Sequence, residues 1–323
     1  MRLLVTGGAG FIGSNFVRMS LSTKYEKEIS SITVLDALTY AGNLENLASV
    51  SNHKKFKFVK GDIRDRELVE KIVSEIDVVI NFAAESHVDR SILSARNFVD
   101  TNVTGTMNLL EVSTRSKVNL FVQISTDEVY GSIQEGQWDE SFPLLPNSPY
   151  AASKASADLL CRSFFQTHKL PVIITRCSNN YGPFQFPEKL IPLFITNLVS
   201  EKKVPVYGDG LNIREWIHVD DHCEGIWLAI KNGKPGEIYN LSTEVETSNI
   251  DITRNILEIM NFGQEKIEWV EDRLGHDQRY ALSCLKARKE LGFKHKIDFS
   301  AGLKSTISWY LDNKEWWIPL KTD

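Results

Sequence analysis

Eight residues near the start of the chain, TGGAGFIG from Thr6 to Gly13, restrict what it can fold into more than any other stretch. They follow the apolar run LLV and lead directly into an apolar helical window that begins at Phe11. A tight turn must therefore join a strand to a helix. Gly7 and Gly10 let the chain bend and let backbone N–H groups approach an anion, while Gly13 permits close packing of helix on sheet. The helix N-terminus adds unpaired N–H donors and the positive end of its dipole, a setting that suits a pyrophosphate. Without a strand before and a helix after, the same glycines would mark only a turn.

The rhythm that follows extends this local signal to a fold. Short β-branched runs, LLVT, ITVLD, FKFVKGD, VVINFAA, NLFVQIST and VIITR, alternate with amphipathic helical windows through about residue 176. Alternation of this kind predicts a parallel sheet. The runs are apolar on successive positions, so each strand should be covered on both faces, as in a doubly wound, Rossmann-type α/β fold. After residue 177 the pattern becomes mixed. Short strands at VPVYG, REWIHV and EIYNLS lie among helices near 189–200, 221–231, 250–260 and 300–311. The expected organisation is a dinucleotide-binding domain over 1–176 and a smaller mixed α/β lobe over 177–323, with some chain crossing between them. The tail carrying Trp316 and Trp317 reads as packing or a subunit contact.

Composition excludes several classes. The 323 residues are 42% hydrophobic and 24% charged, with no apolar run long enough to span a bilayer. Net charge is −5 with both signs interspersed, which gives no field for a nucleic acid. Cys161, Cys177, Cys223 and Cys284 form no CxxC pair, and there is no HExxH or Cys/His cluster, so neither a disulfide framework nor a metal site is predicted. These features, with an N-terminus lacking a secretory pattern, predict a cytoplasmic protein.

Asp36 ends the second strand about 20 residues beyond the glycines, where a carboxylate accepts both ribose hydroxyls. A 2′-phosphate would meet like charge there, so NAD is favoured over NADP. Asp62, in GDIRD, has two readings: an adenine contact, or an N-cap for the helix after Arg64. In PYAASK, Pro149 marks a helix start and places Tyr150 and Lys154 one turn apart on one side. A tyrosine ionises near about 10, but a neighbouring ammonium and an oxidised nicotinamide would favour its phenolate.

Taken together, TGGAGFIG, Asp36, Ser125 with Thr126, and the Tyr150/Lys154 pair resemble the extended short-chain dehydrogenase/reductase superfamily. Further stretches, LTYAGNLENL, AAESHVDRSI, STDEVYG, RCSNNYGPFQFPEKLIP and DRLGHDQRYA, resemble the dTDP-glucose 4,6-dehydratases over nearly the whole chain. That resemblance implies oxidation of a sugar at carbon 4, loss of water across carbons 5 and 6, and return of the hydride to carbon 6. It assigns Glu128 as the base at carbon 5, Asp127 as the acid at carbon 6, and Thr126 with Tyr150 at the carbon 4 oxygen, supported by Lys154. Cofactor contacts are implied for Gly7, Gly10, Phe11, Ile12, Gly13, Asp36, Thr39, Asp62, Ile63, Ala83, Ala84, Thr101, Tyr150, Lys154 and Asn180. For the nucleotide sugar, dTDP-glucose, the implied contacts are Ser86, Asn179, Lys189, Leu190, Pro205, Tyr207, Arg214, Asn249, Arg273 and His276. Arg214, Arg273 and His276 would hold the diphosphate, a task that suits the planar fork of arginine. A homodimer joined through helices spanning 101–114 and 150–167 is also implied.

The chain departs from the family pattern at Phe184, where a tyrosine is expected, and at IHVDDH. His87, after a strand end, reads as a structural hydrogen bonder. Three alternatives share parts of the pattern. A UDP-glucose 4,6-dehydratase would use the same chemistry with another base contact. A nucleotide-sugar 4-epimerase or UDP-glucuronate decarboxylase would lack the adjacent Asp127 and Glu128. A non-catalytic NAD-binding sensor would need no converging reactive groups.

Overall fold

A computed structural model describes residues 1–22 and 24–321. The first six strands are β1 Arg2–Thr6, β2 Ser31–Asp36, β3 Phe56–Lys60, β4 Val78–Asn81, β5 Leu120–Thr126 and β6 Val172–Cys177. The second six are β7 Asn179–Tyr181, β8 Val204–Tyr207, β9 Ile213–His218, β10 Ile238–Leu241, β11 Glu246–Ser248 and β12 Ile267–Val270. Between them run α1 Phe11–Ser22, α2 Arg66–Val73, α3 Val88–Leu93, α4 Arg96–Phe98, α5 Thr106–Ser116 and α6 Pro149–His168. The later helices are α7 Leu190–Val199, α8 Val219–Asn232, α9 Asn249–Ile259, α10 Phe299–Asp312 and α11 Lys314–Trp317.

Seven parallel strands form the large sheet in the order β10-β6-β5-β4-β1-β2-β3. Side chains along each strand point alternately to two faces, and here both faces are apolar. Leu3, Val5, Val34, Ile80 and Val122 pack into one core, whereas Leu4, Leu35, Val79 and Phe121 pack into the other. The chain reverses its direction of travel across the sheet between β1 and β4, and ligands in such sheets bind at that switch point, beyond the carboxyl ends of the strands. At the edge the rule of double coverage fails. In β3, Lys57 and Lys60 are exposed.

One stretch read as part of the smaller lobe returns to the large one. β10, the EIYNLS segment, pairs with β6, and α8 packs beside α1. There Trp227 stacks on Phe16 and Tyr25 at 5.4 and 4.4 Å between ring centroids, and its indole N–H donates to Ser20. The smaller lobe proper contains the sheet β11-β9-β7 and the pair β12-β8, with α7, α9 and α10 around a core of Ile195, Val206, Ile256 and Tyr310. The tail is packing within the chain: Trp317 donates to the Tyr310 carbonyl and Trp316 to Asn46 across the lobes. Phe184 adopts φ 67° and lies between Trp309, Trp316 and the Arg18 guanidinium.

Candidate active site

The carboxyl ends of β1, β4, β5 and β6 and the facing edge of the smaller lobe enclose one cavity of about 860 Å³. Every residue given a catalytic, cofactor or substrate role from the sequence lines it. Eight lining residues, Ser125, Asp127, Ser178, Gln185, Glu188, Trp216, Asn249 and Arg273, each carry a buried polar side-chain atom with no hydrogen-bond partner in the chain. Such atoms are costly unless a ligand or water meets them, so the lining is suited to a polar ligand.

On the dinucleotide side, Gly7 has φ 67°, and a Cβ there would lie 2.6 Å from the Ala83 nitrogen. A Cβ on Gly13 would meet the Gly7 carbonyl at 2.4 Å, so helix and turn touch backbone to backbone. Asp36 is fixed by N–H groups of Ala9 and Leu38, both at 2.8 Å, while burial raises its pKa. The N-cap reading of Asp62 is corrected. Asp65 caps α2 by accepting from the Leu68 N–H, and Asp62 instead grips Arg64 through its side chain and backbone. The residue immediately before the first helical turn has the reach to cap it; one three positions earlier does not. These residues form a cradle that fits a dinucleotide.

Opposite them, Thr126 ends β5 and a single turn of 3-10 helix, Asp127–Tyr130, carries the two acids. The Thr126 hydroxyl donates to Asp127 at 3.0 Å and accepts from the Glu128 N–H at 3.3 Å. In this structure that hydroxyl is therefore directed at its neighbours. Burial, then the Glu128 charge, pushes Asp127 well above the usual carboxylate range. Glu128 is also raised by burial, but Arg214, Lys189 and Arg273 pull it back down. Adjacent in sequence, the two acids have different surroundings.

Ser148 caps α6, with Pro149 in its first turn, and this helix presents Tyr150 and Lys154 to the cavity. The expected lowering of the Tyr150 pKa by Lys154 is not seen in the chain alone. Burial first, then the acidic groups Glu128, Cys177 and Asp127, raise the phenol strongly, while Thr126 works against them. Lys154 donates to the Ile124 carbonyl at 2.6 Å, and burial lowers its own pKa.

Lys189 is the N-cap of α7 and ties the lobes by donating to the Ser86 carbonyl at 2.8 Å. Arg214 lies in β9, not in a loop; its guanidinium donates to the Ile213 and Asp277 carbonyls and covers the Tyr280 ring at 4.1 Å. Arg273 covers Tyr207 at 5.0 Å, and His276 pairs with Asp272 at 2.6 Å. His87 caps α3, as read from the sequence. Sequence reasoning passed over Asp277 and Tyr280, which line the cavity joined by a 2.7 Å hydrogen bond. Both lie in DRLGHDQRYA, and their polar and aromatic character beside Arg273 was the available signal.

Residues 4–306 match the family model described as GDP-mannose 4,6 dehydratase. The dTDP-glucose 4,6-dehydratase of Streptomyces niveus is 52% identical over 100% of this chain and 96% of its own length. That of Streptomyces antibioticus is 54% identical over 99% of this chain and 96% of its own. The crystal structure of DesIV (dTDP-glucose 4,6-dehydratase) from Streptomyces venezuelae with NAD and TYD bound superposes with a TM-score of 0.98 at 52% identity, covering 99% and 100% of the two chains. A glycine turn at the switch point and a Tyr/Lys pair facing it across one cleft define an extended short-chain dehydrogenase/reductase. Within that class, the chain belongs to the dTDP-glucose 4,6-dehydratase family.

Proposed function

We propose that this chain converts dTDP-glucose to dTDP-4-keto-6-deoxyglucose with NAD as a bound, recycled cofactor. One observation carries the reading: Asp127, buried, and the adjacent, partly exposed Glu128 line the same cavity as Tyr150 and Lys154. An epimerase or decarboxylase needs only the second pair, and a sensor needs neither.

Gly7, Gly10 and Gly13 with the N-terminus of α1 would hold the pyrophosphate of the cofactor, and Asp36 its ribose. NAD held there would supply a hydride acceptor for carbon 4, a hydride donor for carbon 6, and positive charge near the phenol. Tyr150 takes the carbon 4 hydroxyl proton, with the Lys154 ammonium stabilising the phenolate. Thr126 turns its hydroxyl to the carbon 4 oxygen, where negative charge develops during enolisation. A carbon 4 ketone makes the carbon 5 proton acidic, and Glu128 removes it. Three cations, Arg214, Lys189 and Arg273, oppose the burial that raises Glu128 and so favour the carboxylate that a base needs. Asp127, whose proton is favoured by burial and by its neighbour, donates that proton to the departing carbon 6 hydroxyl, and water leaves; Glu128 then gives a proton back to carbon 5 as the hydride reaches carbon 6. Lys189, Arg214, Arg273 and His276 would meet the diphosphate, and Pro205 and Tyr207 would border the base; that all six line the cavity supports this reading.

The test supplies dTDP-glucose and UDP-glucose separately and follows the 4-keto-6-deoxy product. Turnover of the thymidine substrate at least tenfold more efficient is expected. A preference for the uridine substrate would overturn the nucleotide assignment. We further propose a homodimer through the helices spanning 101–114 and 150–167, where Met107 and Leu159 are exposed; light scattering at micromolar concentration should give twice the chain mass.

A further inference from the structure

Arg176 and Asp158 form an ion pair at 2.9 Å with side chains only 3% and 1% exposed. A buried pair of this kind contributes little net stability compared with apolar residues of the same size, so its presence calls for another reason. Its position supplies one. Asp158 lies one helical turn beyond Lys154 on α6, and Arg176 lies opposite Ser125 in the β5–β6 register. The pair extends further: Arg176 donates to the Tyr130 hydroxyl at 2.8 Å and covers its ring, and Tyr130 donates to Asn240 at 3.0 Å. Tyr130 ends the turn that begins with Asp127 and Glu128. None of these four residues lines the cavity. Yet the chain of hydrogen bonds runs from the helix bearing the phenol and ammonium to the turn bearing the two acids.

We propose that Asp158 and Arg176 are positioning residues: their ion pair, continued through Tyr130 to Asn240, fixes the Tyr150/Lys154 helix against the Asp127–Tyr130 turn. This rests on the dehydratase reading above, in which one sugar must meet both groups in succession. Carbon 4 is served from α6 and carbons 5 and 6 from the turn, so a drift between the two elements separates oxidation from water loss. Asp158 has a second effect in the same direction, since its charge opposes the burial that would strip Lys154 of its proton.

The experiment compares the NAD-loaded wild type with Asp158→Leu/Arg176→Met, which leaves no unpaired buried charge, and with Tyr130→Phe, which cuts the chain at one link and keeps the packing. Five quantities are measured: thermal midpoint, dTDP affinity by calorimetry, kcat and KM for dTDP-glucose, and the near-ultraviolet absorbance of reduced cofactor during turnover. The double variant should melt within about 3 °C of wild type and bind dTDP within threefold. Its kcat should fall about 10- to 100-fold, because small misplacements of reacting groups have effects of that size. Reduced cofactor should accumulate as sugar waits at the carbon 4 ketone. Tyr130→Phe should show a smaller accumulation of the same sign. A double variant with wild-type kcat and no accumulation overturns the proposal, as does a loss of kcat in both variants without accumulation. A wild type that dehydrates no nucleotide sugar overturns the functional reading and this proposal with it.

Discussion

Gly7→Ala isolates the requirement that opens the chain. The backbone there has φ 67°, and an added Cβ would meet the Ala83 nitrogen and Cα and the Phe82 carbonyl carbon at 2.6, 2.7 and 2.8 Å. Two effects add. Left-handed backbone costs a non-glycine residue roughly 1–2 kcal/mol, and overpacking typically adds about 1–3 kcal/mol. The upper part of that second range applies, because the atoms in the way are backbone at the end of a central strand and cannot rotate aside. The sum is about 3–5 kcal/mol, which for a chain of this size lowers the thermal midpoint by about 4 to 7 °C. Gly292→Ala is the control, since its φ is 73° but a Cβ there has nothing within 4 Å. It should lose only the backbone part, about 2 °C. Scanning calorimetry of both variants, with and without NAD, reads the difference directly. Equal midpoints for the two variants, or undiminished stabilisation of Gly7→Ala by NAD, would refute the close-contact argument.

Three other perturbations have defined outcomes. Glu128→Gln should retain NAD, oxidise carbon 4 and lose about 10²- to 10⁴-fold in dehydration, with no solvent deuterium entering carbon 5; normal exchange would remove Glu128 from the base role. Arg214→Met removes the first of the cations that hold Glu128 down. The Glu128 pKa should rise, so the acid limb of the kcat/KM profile should move to higher pH; an unmoved limb contradicts the assignment. Glu215, fully buried and hydrogen-bonded to Ser242, has its pKa raised by burial from 4.5 to about 7. The folded state therefore holds this proton more tightly than the unfolded chain, and stability should fall as pH rises from about 4.5 to about 7, by on the order of 3 kcal/mol. Chemical denaturation of Glu215→Gln across that range should lack this slope, and an unchanged slope would exclude Glu215 as its source.

The parts of the fold that were legible in the sequence are those whose cause is local. Apolar residues on consecutive strand positions announced two buried faces, and β1, β4, β5 and β6 have them. Nothing in EIYNLS says which sheet it joins, because that is decided by Trp227 meeting Phe16 and Tyr25 far away in sequence. The same divide runs through the site. Tyr150 and Lys154 are one turn apart, and Asp127 and Glu128 are adjacent, so spacing alone brings each pair together. Asp158 and Arg176 sit on different elements and meet only after α6 folds onto β6. Asp62 and Asp65 shared one signal, and only the exact start of α2 separates the capping residue from the other. The response of Tyr150 was illegible for another reason: burial, which composition does not reveal, is the largest influence, and the acidic neighbours act in the same direction.

The central claim is that one hydride leaves carbon 4 and returns to carbon 6 of the same sugar while water is lost between. dTDP-glucose deuterated at carbon 4, mixed with deuterium-free dTDP-glucose carrying carbon-13 throughout its sugar and converted in ordinary water, tests it most directly. The account predicts 4-keto-6-deoxy product in which deuterium sits at carbon 6 of carbon-12 molecules alone. Deuterium released to solvent, transferred to the carbon-13 population, or returned to carbon 4 would contradict it.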